Sequence, residues 1–125
     1  MCYQLLELEM PASSDIRARV LVDDNSPWFS GHFPDQPILP GIAHLKMVAD
    51  VIARARQERL WIKHLHRVKF KRIVSPGETL DIDVKATGTS GQYSFHITHE
   101  TQDVCSGMMF LDDEQHEKTT YDQQP

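Results

Sequence analysis

A chain of 125 residues, 40% hydrophobic and 25% charged, is long enough for one domain with its own core and too apolar for a disordered body. Its net charge of −5, with no nucleic-acid-binding motif and no apolar run of membrane-spanning length, argues against a nucleic-acid binder and against a membrane span. Cys2 and Cys105 are expected to be free thiols, and MCYQLLELEM lacks the basic start and long apolar stretch of a signal peptide, so a cytoplasmic protein is expected.

Residues 3–9 and 17–22 (RARVLV) are predicted strands. DDNSPW then turns the chain into GHFPDQPILPG, residues 31–41. Pro34, Pro37 and Pro40 each lock φ, and Gly31 and Gly41 reach backbone conformations costly for other residues. Such a stretch is neither a helix nor a central strand. It is a shaped loop presenting His32 and Phe33. From Ile42 to about Arg59 the period becomes helical. Ile42, Leu45, Val48, Ala49, Ile52 and Ala53 make a broad apolar face, and Arg54, Arg56 and Arg59 suit the negative end of a helix dipole.

The period then becomes two. HRVKFKRIV, TLDIDVKA, QYSFHITHE and the more fully apolar VCSGMMFL are predicted strands, separated by turn residues in SPGE and TGTSGQ. They are expected to form a four-stranded antiparallel meander. The tail beyond Leu111 holds five acids against Lys118, has nothing to pack and is expected to be disordered, so the domain is placed at 1–111 and the tail at 112–125. The sum is an α+β fold, one long helix wrapped by a curved antiparallel sheet, and its exposed edges predict a dimer.

Two motifs in this order, FSGHFPDQPILPGI before the helix and VKFKRIVSPGETLDIDV after it, resemble the hotdog-fold 3-hydroxyacyl-acyl-carrier-protein dehydratases. PILPGI is similar in particular to the dehydratase-like subgroup of aryl polyene lipid pathways. The resemblance spans roughly residues 17–111 and implies a hotdog fold without a cofactor or metal. It implies a reaction on an acyl carrier protein or CoA thioester, in which water leaves a 3-hydroxyacyl group to give a trans-2-enoyl group. By motif position His32 is then the base that takes the C2 proton, a task suited to a group that titrates near neutral pH. Gly41 occupies the oxyanion position, where unpaired N–H groups at a helix start meet the charge on the thioester oxygen. Phe33, Pro40, Ile42 and Phe70 are the expected substrate contacts.

One position departs from the pattern. The family carries Glu or Asp five residues after the Pro-Gly glycine; this chain has Lys46. Its frequent amide four residues later is here Asp50. Three readings stand. Lys46 is the acid; or Asp50 is, held by Lys46 one helical turn away; or the acid is absent and the protein binds acyl groups without dehydrating them, unless a partner subunit in a heterodimer supplies the carboxyl. His44 lies two residues from Lys46 and points elsewhere on a helix.

Arg67, Lys69, Lys71 and Arg72 stand close together in sequence and are either a solvated face or a dock for an acidic carrier protein. His64 with His66, and His96 with His99, bring no convincing third metal ligand. A hotdog thioesterase is the second enzyme reading, which the Gly-His-Phe-Pro loop disfavours.

Overall fold

Alternation decides which face of this sheet is dry. In TLDIDVKA, Leu80, Ile82 and Val84 point one way, and all three are buried. Ile16, Ala18, Val20 and Val22 on one neighbouring strand, and Tyr93, Phe95 and Ile97 on the other, extend the same face. The opposite face carries Arg17, Arg19, Asp81 and Asp83, paired across strands as Arg17–Asp83 at 3.4 Å and Arg19–Asp81 at 2.8 Å.

The computed structural model of the chain describes residues 3–23 and 39–113. In order these form β1 (Tyr3–Ala12), β2 (Asp15–Val22), α1 (Gly41–Arg56), β3 (Leu60–Phe70), β4 (Thr79–Ala86), β5 (Gln92–His99) and β6 (Gln102–Asp113). His32 and Phe33 lie outside the described residues, as does the acidic tail beyond 113. The strands make one antiparallel sheet in the order β1-β2-β4-β5-β6-β3. Val48, Val51 and Ile52 of α1 are fully buried in the common core. This is the expected layout of one helix and one antiparallel sheet.

Four expectations are corrected, the first being the strand expected in HRVKFKRIV, which instead runs Leu60–Phe70 and leaves residues 71–74 to the crossover. The meander contains β4, β5 and β6 but not β3, which pairs with β6 at the far edge. Residues 71–78 therefore cross three strand spacings, roughly 14 Å, to bring β4 beside β2. Local alternation cannot reveal this, because it reports which face a residue takes and not which strand is its neighbour. The helix stops at Arg56 instead of Arg59: Gln57 takes a left-handed φ of 57°, and Gln57 N–H and Glu58 N–H donate to the carbonyls of Arg54 and Ala53. No glycine marks that stop. Finally, β6 runs to Asp113, two residues past the expected domain end, because its last residues pair with Leu60 and Trp61.

The crossover is held at both ends. Leu39 N–H donates to Val74 C=O at 2.9 Å, and Val74 is fully buried. The Arg72 guanidinium grips the Glu78 carboxylate through two hydrogen bonds of 3.1 and 2.6 Å, while Ser75 N–H donates to the same carboxylate at 2.6 Å. Gly77, with φ of 83°, makes the turn and donates its N–H to Val22 C=O. The VSPGE segment is thus a stapled turn. Replacing Arg72 with Met should lower stability by about 1–2 kcal/mol, read as a lower urea midpoint with unchanged slope; an unchanged midpoint would show that the staple is energetically idle.

On β6, Gly107 faces β3 so closely that an added Cβ would lie 2.9 Å from the Val68 Cα. That approach accompanies the bulge between His66 and Lys69, in which Arg67 adopts a left-handed φ of 54°. Gly107→Ala is expected to cost about 1–3 kcal/mol, measured by the same denaturation experiment.

Candidate functional site

Helix α1 begins without a side-chain cap. Its N-cap is Pro40, extended at φ −62° and ψ 150°, and no acid stands in the first turn to offset the positive end of the dipole. Ala43 N–H donates to Pro40 C=O at 3.0 Å. Together with the Leu39–Val74 bond, this fixes how the chain enters the helix.

Gly41 is the first helical residue, and a Cβ there would lie 2.9 Å from the tip of the Phe70 ring. The missing side chain is therefore filled by an aromatic ring arriving from the end of β3. Phe70 is 50% exposed and Ile42 49% exposed, so this corner has an apolar rim open to a ligand or a partner. Among the residues expected at the site, Gly41 and Phe70 come into direct contact, with Pro40 and Ile42 flanking Gly41 in the chain.

His44 completes the corner, a residue that helical spacing only turns away from Lys46. It is 2% exposed, the one buried polar residue among the described residues, in the midst of the apolar core. Its ring stands edge-on to Phe70, with centroids 5.5 Å apart. Nδ1 lies 3.1 Å from Pro40 C=O. A carbonyl can only accept, so Nδ1 carries the hydrogen and donates it. Nε2 is then a lone-pair acceptor in the neutral ring, and it is buried with no hydrogen-bond partner among the described residues. Burial pushes the His44 pKa below its ordinary value, against a weaker upward pull from the carbonyls of Pro40 and Gly41. The signal available in the sequence was one imidazole on the stripe that also carries Val48, Val51 and Ile52.

Lys46 and Asp50 occupy a different face. Lys46 is exposed, and Asp50 is half-buried. From Gly41 to Lys46 the helix rises about 7.5 Å. The Asp50 carboxylate accepts hydrogen bonds from the Tyr3 hydroxyl and, at 3.1 Å, from Arg54 Nε. It therefore fastens α1 to β1 as well as standing one turn beyond Lys46.

The basic cluster divides. Arg67, Lys69 and Lys71 are exposed, and Lys71 lies 3.8 Å from Asp103. Arg72 is committed to Glu78, whose pKa it holds below the ordinary carboxylate range. Three other histidines have structural company. His64 stands against Phe110; His96 is 2.7 Å from Asp103; His99 donates to Thr79 C=O and lies 3.2 Å from Glu78. Cys105 is buried, and burial pushes its thiol up to about 11, so it is inert as a nucleophile at neutral pH. A surface depression of about 450 Å³ between Arg56, Lys63, Tyr93 and Phe110 lies by the opposite end of the helix.

The lowered His44 pKa has a sign that can be checked. Its contribution to stability is complete above the unfolded value near pH 6.5 and is lost as pH falls through the lower folded value, because the unfolded chain binds that proton first. Glu78 acts in a separate window below its ordinary value of 4.5. Urea titrations should show wild type losing stability as pH drops below about 6.5, and His44→Leu lacking that component while keeping the one below 4.5.

Residues 9–108 match the ApeI-like family, described as ApeI dehydratase. The chain is 32% identical over 111 residues to the 3-hydroxyacyl-acyl-carrier-protein dehydratase FabZ of Clostridium perfringens, covering 81% of this chain and 80% of that one. Its fold is similar, at a TM-score of 0.79 and 25% identity, to a chain of the dehydratase heterocomplex ApeI:P from Xenorhabdus doucetiae, covering 89% of this chain and 98% of that one. The fluoroacetyl-CoA thioesterase FlK shares the fold at a TM-score of 0.68 with 12% identity, over 94% of this chain and 99% of that one.

Proposed function

The chain belongs to the ApeI-like dehydratase family, and we propose that it is a lyase that takes 3-hydroxyacyl thioesters on an acyl carrier protein to trans-2-enoyl thioesters and water. The observation that carries this reading is the uncapped start of α1, with a glycine as its first residue and an open apolar rim, nine positions after His32 in the sequence.

The chemistry follows from that corner. The thioester carbonyl accepts hydrogen bonds from the first-turn N–H groups, where Gly41 lets it approach beside the Phe70 ring. His32 removes the C2 proton, and the charge that develops on the thioester oxygen meets the positive end of the helix. The C3–O bond then breaks, C2 and C3 become doubly bonded, and the departing hydroxyl takes up a proton to leave as water. Lys46 is the donor for that proton. Its ammonium carries the hydrogen that the family's carboxyl supplies elsewhere, and its exposed face of α1 is the one available to a second subunit. Ile42 and Phe70, about half exposed, and Ile73, at 62% exposure, leave apolar side chains uncovered that a hotdog dimer would cover. The similarity to a chain of a heterocomplex makes a related, non-identical hotdog subunit the favoured partner. Exposed Arg67, Lys69 and Lys71 steer the acidic carrier protein, while Arg72 holds the turn behind them.

The test is turnover of 3-hydroxyacyl-carrier protein, followed as enoyl thioester, with the chain alone and with its partner subunit. Wild type should be active, with His32→Ala lowering the rate about 10²–10⁴-fold and Lys46→Ala by a comparable factor. An inert wild type that gains activity as Lys46→Glu would overturn the lysine's role and leave an acyl-binding subunit. Release of free acid instead of enoyl product would establish a thioesterase. Charge reversal at Arg67 and Lys69 should weaken carrier-protein binding, most at low salt; unchanged affinity would remove those residues from the dock.

A further inference from the structure

We propose that Nε2 of His44 accepts a hydrogen bond from the 3-hydroxyl of the acyl substrate, making His44 a substrate-positioning residue at the start of α1. The inference rests on the dehydratase reading and adds to it a residue that the family motif does not supply.

Three observations converge. The ring is fixed: Nδ1–H is tied to Pro40 C=O, and the face of the ring is set by the edge-on contact with Phe70. Its second nitrogen is orphaned: Nε2 is buried in a residue 2% exposed and has no hydrogen-bond partner among the described residues. Its surroundings belong to the site: Phe70 touches the space above Gly41, so His44, Phe70 and Gly41 form one corner at an uncapped helix start. A buried polar atom left unsatisfied is costly and rare, and an atom that lacks a protein partner at a ligand corner is explained by the ligand.

The tautomer decides what the ligand must offer. With Nδ1 donating, Nε2 of the neutral ring presents a lone pair and needs an O–H or N–H. In a 3-hydroxyacyl thioester the carbonyl oxygen and the sulfur are acceptors, and the acyl part carries one donor, the 3-hydroxyl. Donor and acceptor therefore sort themselves. The carbonyl goes to the first-turn N–H groups, and the hydroxyl hydrogen goes to Nε2. Neutral His44 has no proton to give at Nε2, so it does not protonate the leaving group. It fixes the direction of the C3–O bond and leaves the oxygen lone pairs facing the proton donor.

Two unreactive probes of equal chain length isolate the contact: a 3-hydroxyacyl pantetheine amide and its 3-deoxy counterpart. Wild type should bind the hydroxy probe about 3- to 10-fold more tightly than the deoxy probe. His44→Leu should bring that ratio near one with little change for the deoxy probe, and His44→Gln, whose amide oxygen accepts, should restore part of it. A ratio that survives His44→Leu would overturn the assignment while leaving the dehydratase reading intact. If neither probe binds wild type, that reading fails and this inference with it. Should His44→Leu not fold, the ¹⁵N resonance of His44 Nε2 in wild type decides. It should move with the hydroxy probe alone; an equal shift with both probes, or none with either, means that a water or another group satisfies the nitrogen.

Discussion

The described residues are arranged around a sixteen-residue helix whose apolar stripe cannot face water. Val48, Val51 and Ile52 are fully buried, and the sheet bends around that stripe with residues from all six strands packed in or against the same core. Burying such side chains contributes about 1.5–3 kcal/mol each, so the helix cannot shift without losing a large part of the fold's stability. That rigidity is what makes its first turn useful. Its start is held from outside by the Leu39–Val74 backbone bond, and the N–H groups of Gly41 and Ile42 precede the first residues that can pair within the helix.

The path of the chain into and past that first turn follows from the same demand. Residues 71–78 pass from the sheet edge at β3 to β4, and Val74 plugs into the core on the way. The backbone bond from Leu39 to Val74 ties this crossover to the residue that precedes Pro40. The crossover therefore positions the helix entry from one side, while Phe70, just before it, closes over Gly41. Arg72 and Glu78 stabilise the crossover, and His99 approaches the same carboxylate. A basic residue that looks from the sequence like part of a docking patch is thus partly spent on holding the site's floor.

Among the described residues, buried side-chain polar groups around α1 divide into those with protein partners and one without. Asp50 accepts from Tyr3 and Arg54, joining the helix to β1. His44 uses one nitrogen on Pro40 and keeps the other free within the core. The contrast matters because both lie on a helix that is otherwise apolar where it is buried. Tying down one polar group stabilises the fold; leaving one buried without a partner weakens the empty protein slightly, and a ligand donor that bonds to it favours the occupied one.

The sequence by itself determined the elements, the dry face of β2, β4 and β5, the buried stripe of the helix and the motif around Gly41. These depend on local periods and on the fixed dihedrals of proline and glycine, which a single segment carries within itself. Tertiary structure decided what local periods cannot encode. The place of β3 beside β6, the pairing of Arg72 with Glu78 and the contact of Phe70 with Gly41 all join residues by the crossover and the bulge at Arg67. Turning His44 inward was also a tertiary outcome. On helical spacing alone an imidazole beside Leu45 is only a residue that faces away from Lys46; its burial, its tautomer and its unpaired nitrogen exist because Pro40 C=O and the Phe70 ring stand where the folded chain puts them.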